Sequence, residues 1–529
     1  MTLVDGGELV ARALARQGVS HLFGLGGGHI NPTWWAAPRH GIRIVDVRHE
    51  AAATHCAEGW ALATGEPGVA VVTAGPGVTN ALTGIATAHA QRSPIVVIAG
   101  AATLRGADSG EVEVLDQLEV VKPVCKWARR IHHLERIPEY VARAFTEATT
   151  GTPGPVYLEL AIDLIHAQID DTHVEEPTLL TRTNTAVEPP ADLVGRAAAL
   201  LRSAQRPAVV AGSGVRWADA APELRALVDR GIPLVTRQGG RGTVPDDHPA
   251  CFGRDWQNVV FQADVLVVVG KQLDYFFGYG RFPHLEHLVQ IDIEPGEIGR
   301  NRVAVCVGMV ADAKPALRAL ADAVPTLDTK AWIAQLRAQA DELAAAKAAL
   351  ATSDARPIHP LRLCREVQQR LERNATVVGD ASNMLMWVDA AFPAYEPGCV
   401  PGMGNLGTIG HGVCYALAGG LARPGSQAVW MVGDGSFGFN AMELDTAARH
   451  GVPIVTVIMN NQGWSAGWVP LGLRHYERMA GAFDGPGFLV EEPDEIGPAL
   501  DAAFASDAPS IVNVMLDPAG EYFPGRHLG

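Results

Sequence analysis

Short apolar runs rich in β-branched residues alternate with Ala-rich stretches along almost the whole chain. In residues 1–168 the runs are HLFGL (21–25), IRIVDV (42–47), GVAVVTA (68–74), PIVVIAG (94–100) and PVYLEL (155–160). Runs of this kind need burial on both faces, and a strand that returns parallel to its predecessor needs a helical crossover. The pattern therefore predicts an α/β chain built on doubly wound parallel sheets. It recurs twice. RPAVVAGSGV (206–215), DVLVVVGKQLD (264–274) and LVQIDIEP (288–295) mark a second block; TVVGDA, QAVWMVGDG, PIVTVIMNN and PSIVNVML mark a third. The polar stretch QIDDTHVEEPTLLTRTNTAVEPP (168–190) reads as one linker. ATSDARPIHP (351–360), after an Ala-rich helix over roughly 330–351, reads as the other. The expected domains are 1–168, 190–330 and 358–529.

Composition removes several function classes. Hydrophobic residues make up 48% and charged residues 19% of 529, which excludes a disordered chain. The net charge of −16 argues against nucleic-acid or anionic-membrane partners, which need a positive face. No apolar run reaches the length of a membrane span. The opening MTLVDGGELVARALARQG predicts an amphipathic helix capped near Asp5, with Leu9, Val10, Ala13 and Leu14 on one face, rather than a secretory signal. The seven cysteines are scattered and form no CxxC, so reduced thiols and a cytoplasmic location are expected.

In the third block the strand AVWMV ends in Gly433-Asp434-Gly435. A second strand, PIVTVIM, ends in Asn460-Asn461, with Asn461 27 positions beyond Asp434. A right-handed crossover puts the carboxyl ends of both strands on the same sheet edge. A carboxylate and an amide oxygen converge there, a hard and lightly charged donor set that suits Mg²⁺ on a diphosphate. The glycines let backbone N–H groups approach phosphate oxygens.

This pattern resembles the signature of thiamine-diphosphate (ThDP) enzymes. The resemblance implies Asp434, the Asn461 side chain and the Gly463 carbonyl as Mg²⁺ ligands, with Gly435 and Ser436 beside the diphosphate. Ser382 and Asn383, which follow a strand with Asp380 and Ala381, belong to the same end. Arg48-His49-Glu50 closes a strand and opens the helix AAATHCAEGWALATG. Glu50 is implied as the carboxylate that shares a proton with N1′ of the aminopyrimidine and so activates the cofactor. Gly75, Pro76 and Asn80 are implied on the pyrimidine-side wall. Gly407-Thr408-Ile409 resembles the segment that shapes the cofactor, with the Gly407 carbonyl receiving the 4′-amino group and Ile409 as an apolar wedge. The likeness spans essentially the whole chain, in the module order of the acetolactate synthase, pyruvate oxidase, oxalyl-CoA decarboxylase and benzaldehyde lyase group. It implies a cofactor between two subunits, so a homodimer is the minimum and a homotetramer is expected.

The substrate is chosen by pocket residues. GGELVARALARQGVSHLFGLGGGHI is most similar to benzaldehyde lyase, where a histidine at the place of His29 handles the hydroxyl proton of the substrate, with Gly28 beside it. Glu113, in GEVEVLDQLEVVKPVCKWARRI, resembles the oxalyl-CoA decarboxylase pattern. A carboxylate in apolar surroundings there would return a proton to the reacting carbon. Met384, Met386, Trp464 and Trp468 are candidates to line an apolar pocket, or are ordinary core. His132 and His133 follow their strand and are read as structural. The middle block resembles the 2-hydroxyacyl-CoA lyase branch in GKQLDYFFGYG and QIDIEPGEIGRNR. It makes no strong case for FAD and leaves room for ADP or CoA. The C-terminal LDPAGEYFPGRHLG stops where relatives carry a tail over the active site. The favoured expectation is a C–C lyase or carboligase, either a 2-hydroxyacyl-CoA lyase or a benzaldehyde-lyase-like enzyme. The alternatives are an acetolactate synthase-like carboligase, an oxalyl-CoA-type decarboxylase and a non-catalytic homologue.

Overall fold

The computed structural model describes residues 2–106, 109–177, 186–300, 304–380, 382–402, 404–464 and 469–518, without the side chains of Ser382 and Asn383. The first module runs β1 (Leu3–Asp5), α1 (Gly6–Arg16), β2 (His21–Gly24), β3 (Arg43–Asp46), α2 (Glu50–Thr64), β4 (Gly68–Val72), α3 (Pro76–Gln91), β5 (Ile95–Ala101), β6 (Trp127–Ile131), β7 (Val156–Ala161) and β8 (Gln168–Asp170). Helix α1 begins where Asp5 accepts from the Glu8 N–H at 2.8 Å, and it buries Leu9, Val10, Ala13 and Leu14. Such a cap satisfies one of the orphan donors of the first turn. Strands β2 to β7 form one parallel sheet in the order β3-β2-β4-β5-β7-β6. The stretch from 168 is not wholly linker, because β8 pairs antiparallel with β1. Helix α1 also anchors the chain beyond β8 through its cations: Arg12 meets Asp171 at 2.9 Å and Glu176 at 2.8 Å.

The middle module holds β9 (Pro207–Ala211), β10 (Leu234–Thr236), β11 (Val265–Val269), β12 (His287–Asp292) and β13 (Val305–Val310), followed by α4 (Lys330–Ala351). Its sheet is parallel throughout, in the order β10-β9-β11-β12-β13. The Gly212-Ser213-Gly214 turn serves backbone packing. A Cβ at Gly212 would lie 2.4 Å from the Gly270 carbonyl oxygen, and one at Gly214 would lie 2.6 Å from the Gly270 Cα.

The third module comprises β14 (Thr376–Asp380), α5 (Ser382–Ala391), α6 (Gly412–Ala422), β15 (Ala428–Gly433), α7 (Asp434–Asn440), α8 (Glu443–His450), β16 (Ile454–Asn460), β17 (Gly463–Trp464), β18 (Val469–Pro470), β19 (Gly487–Val490) and β20 (Ser510–Met515). Its main sheet is again parallel, in the order β14-β15-β16-β20-β19.

Two compact units result. One joins residues 1–184 with 413–422 and 440–450; the other holds the rest. In the first, α6 lies on the first module, and the Tyr415 hydroxyl accepts from Gln91 Nε2 at 3.0 Å. In the second, the middle and third modules share a buried ion network. The Arg241 guanidinium meets Asp246 and Asp389, each at 3.1 Å, and Arg237 meets Asp389 at 3.0 Å.

Candidate active site

In the first unit the loops after β3, β2, β4 and β5, neighbours in that order in the sheet, meet at its carboxyl edge. They carry Glu50, His29, Thr73 to Gly75, and Glu113. Glu50 opens α2, is buried, and accepts from Asn80 Nδ2 of α3 at 3.0 Å. His29 Nδ1 lies 2.9 Å from Glu113 Oε2, and the Thr73 hydroxyl donates to the same oxygen at 3.2 Å. The apolar surroundings expected for Glu113 are thus not what the fold provides, since its carboxylate is spoken for by an imidazole and a hydroxyl. Thr73 was not visible as a site residue in the sequence.

The backbone is adapted to this grouping. Glu113 has φ +62°, a left-handed conformation that side chains other than glycine seldom adopt. Gly75 has φ +53°, and a Cβ there would come within 3.0 Å of Glu113. A Cβ at Gly100 on β5 would lie 2.3 Å from the His29 Cβ, and one at Gly27 would lie 2.6 Å from Thr73. A Cβ on Gly28 would meet nothing within 4 Å. Gln117, also unanticipated, is buried and ties the Gly75 loop down. Its Oε1 accepts from Gly75 N at 2.7 Å and its Nε2 donates to the Gly100 carbonyl at 2.9 Å. Pro76, beside Gly75, opens α3 and is exposed.

In the second unit, β15 and β16 are adjacent and parallel, so Asp434 and Asn461 leave the sheet at the same edge. The Asn461 amide lies 3.1 Å from Asp434 Oδ1 and 2.8 Å from the Gly463 carbonyl oxygen. Asp434 is 3% exposed, and burial pushes its carboxyl up to about 6 against the opposing pull of backbone N–H groups from Gly435 and Gly463. Asp434 Oδ2 and the buried Ser436 Oγ have no hydrogen-bond partner among the described residues. The Trp464 ring would come within 2.9 Å of a Cβ on Gly435, so only glycine fits under it. Met384 is buried in the module's apolar core, and Met386, two positions further along α5, is half-buried. Gly407 has φ +71° and is exposed; Ile409 is half-buried. Asp380 turns inward: its oxygens accept from the N–H groups of Gly410 at 2.9 Å and Gly412 at 2.8 Å. It holds the loop after Gly407 rather than a ligand. The side chains of Ser382 and Asn383, together with Ala381, Trp468 and the chain from 519 onward, lie outside the described residues.

Comparison with known proteins decides the family. Models of the thiamine pyrophosphate enzyme match residues 4–120 as the N-terminal TPP binding domain, 194–320 as the central domain and 380–468 as the C-terminal TPP binding domain. The chain belongs to the thiamine pyrophosphate enzyme family. It is 36% identical to a protein of Mycobacterium tuberculosis named acetolactate synthase large subunit, over 98% of this chain and 96% of that one. It is 32% identical to a probable acetolactate synthase large subunit of Methanocaldococcus jannaschii, over 98% and 92%. It is 29% identical to a 2-hydroxyacyl-CoA lyase of Arabidopsis thaliana, over 99% and 97%.

With its nitrogen facing them, the Asn461 amide donates to Asp434 Oδ1 and the Gly463 carbonyl. With its oxygen turned there instead, three oxygens would face one another, a grouping that a cation would relieve. Among the described residues no group of three or more His, Cys, Asp or Glu is placed to hold a metal. The donor set here is instead one carboxylate, one amide and one carbonyl, hard oxygens of low total charge. These residues fit a divalent cation that brings phosphate oxygens of its own, and the orphaned Ser436 hydroxyl fits a phosphate neighbour. No helix among the described residues is long and apolar enough to cross a membrane.

Proposed function

We propose that this thiamine pyrophosphate enzyme is a Mg²⁺-dependent C–C lyase and carboligase that cleaves or forms a 2-hydroxyacyl or 2-hydroxyketone bond, working as a homodimer or homotetramer. The pairing of His29 Nδ1 with Glu113 Oε2 at 2.9 Å carries this reading. Bound ThDP would supply a carbanion that adds to carbonyls and a cationic ring that accepts the electron pair of a broken C–C bond. Asp434, Asn461 and Gly463 would hold the metal, and Glu50 would hold a proton at the aminopyrimidine nitrogen. Glu113, as carboxylate, accepts from Nδ1–H of His29 and leaves the lone pair on Nε2. The Nε2 lone pair is then placed to act as a general base. Cleavage must strip the substrate's hydroxyl proton as the C–C bond breaks, and ligation must return it. One base at Nε2 serves both directions. Glu113 orients that base and stabilises its protonated form.

Substrates of this kind are 2-hydroxyacyl-CoA thioesters, aldehydes and ketones. The relatives named acetolactate synthase favour a second reading, in which a 2-oxo acid is first decarboxylated and the product joined to another 2-oxo acid. That ligation meets the same proton step. The joint presence of Glu50, Asp434 and Asn461 speaks against a non-catalytic homologue.

Kinetics with formyl-CoA and a panel of aldehydes and ketones, and with pyruvate alone, separate the readings by product. In the lyase reading, His29→Ala slows cleavage by about 10²-fold or more, the scale of a lost acid–base group, and spares decarboxylation of any 2-oxo acid accepted. Glu113→Gln slows cleavage less, because an amide oxygen still accepts from Nδ1–H. Equal losses in both reactions, or none in either, would remove His29 from the chemistry and the lyase reading with it.

A further inference from the structure

Helix α8 carries a buried carboxylate that the lyase chemistry does not use. Glu443, its first residue, is 1% exposed. Its two oxygens accept from the Arg48 N–H at 3.0 and 3.2 Å, and its Oε2 accepts from the Thr446 hydroxyl at 2.6 Å. The His49 N–H also hydrogen-bonds to it. Arg48 and His49 are the two residues before Glu50. The rest of α8 grips the same loop. Arg449 donates to Asp46 Oδ2 at 2.6 Å and to the Asp46 carbonyl at 2.8 Å, and His450 Nε2 lies 3.1 Å from Asp46 Oδ1. Arg43 donates to the His450 carbonyl at 2.8 Å.

The N–H groups that lead into a helix have no partner within it. In most helices a local side chain or water serves them, and here a carboxylate from nearly four hundred residues away does so. We propose that Glu443 is the positioning residue for Glu50: by fixing the Arg48 and His49 N–H groups it sets where the first residue of α2 stands. A carboxylate that must share a proton with a ring nitrogen tolerates little displacement, because hydrogen-bond strength falls steeply with angle and distance. Glu443 therefore acts on the reaction through Glu50 without touching any reactant. This inference rests on the reading of Glu50 as the aminopyrimidine's partner.

The test needs one readout without cofactor and one with it. In the cofactor-free protein at pH 8, hydrogen–deuterium exchange of a peptide spanning residues 46–52 is expected to speed up by about tenfold or more in Glu443→Ala. Glu443→Gln, which keeps one acceptor oxygen and spares the packing, is expected to lie between Glu443→Ala and the parent. With ThDP and Mg²⁺ bound, Glu443→Gln is expected to lower exchange of the cofactor's C2 proton by about tenfold while its ThDP Kd stays within about threefold. In a Glu50→Gln background the same substitution is expected to add less than about twofold, since a residue acting through another has nothing left to act on. Unchanged amide exchange in both Glu443 variants, or C2-proton losses that multiply in the double variant, would overturn the proposal. Parent-like C2 exchange in Glu50→Gln alone would instead overturn the assignment of Glu50, and the route proposed for Glu443 with it.

Discussion

A methyl group on Gly100 would sit 2.3 Å from the His29 Cβ. One absent side chain on β5 thus decides whether an imidazole can stand beside Glu113. Gly100→Ala is expected to push His29 off its partner and lower cleavage by about 10-fold to 100-fold, with ThDP affinity unchanged because the metal end is untouched. Steady-state kinetics beside calorimetry on the same preparation check this; a full-rate variant would mean that His29 need not occupy its observed place. Residues of this site differ sharply in how visible they are in the sequence. Asp434 and Asn461 stand at the ends of two apolar runs, so their spacing draws attention to them, whereas Glu50, at an ordinary strand-to-helix junction, stands out only through the family resemblance. Thr73, Gln117 and Glu443 have ordinary local settings. Their roles arise only from contacts across the fold, such as that of Glu443 with Arg48 395 positions away. The surroundings of Glu113 were misread for the same reason: the loop holding Thr73 is remote in sequence and adjacent in space.

Helix α2 shows what an element does with a charge it cannot solvate. Glu58, fully buried two turns beyond Glu50, faces the Tyr415 and Ser93 hydroxyls, and burial pushes its carboxyl up from 4.5 to about 7. The folded chain keeps a proton that the unfolded chain has released. Stability from this group is therefore greatest below about pH 4.5, falls as pH rises toward 7, and is flat above. Glu58→Gln removes the titration. It is expected to raise Tm at pH 8 relative to the parent, by at most about 3.4 kcal/mol of stability at 1.36 kcal/mol per pH unit, and to change little at pH 4.5. Thermal melts across that range check the sign, and a pH-independent difference would contradict it. Long elements were legible because their period is local: α4 follows an Ala-rich stretch that needs no tertiary information. Strand β8 was not legible. Three residues, Gln168, Ile169 and Asp170, are too few to show alternation, and the polar stretch around them reads as linker until β1 is seen beside it.

At the scale of the molecule, the three sheets were written in the apolar runs, whereas the way helices are shared out was not. Most of α6 and α8 belong with the first module, although both lie in the third block of sequence. In the second unit the buried Arg241 joins the middle and third modules through Asp246 and Asp389. Arg241→Met would fill the space and leave the buried Asp246 without a cation, while Asp389 keeps Arg237 at 3.0 Å. The expected cost is about 3–5 kcal/mol, read as a lower Tm with a second, separate transition if the modules uncouple; an unchanged melt would show that the network is dispensable. The central claim concerns the cation between Asp434, Asn461 and Gly463. Calorimetric titration of ThDP into the parent protein and Asp434→Ala, with and without Mg²⁺ and at several pH values, tests it directly. The account predicts binding by the parent only with the metal, weakening as pH falls through about 6 where Asp434 takes up its proton, and no binding by Asp434→Ala. Metal-independent binding, or an unchanged affinity in Asp434→Ala, would contradict it.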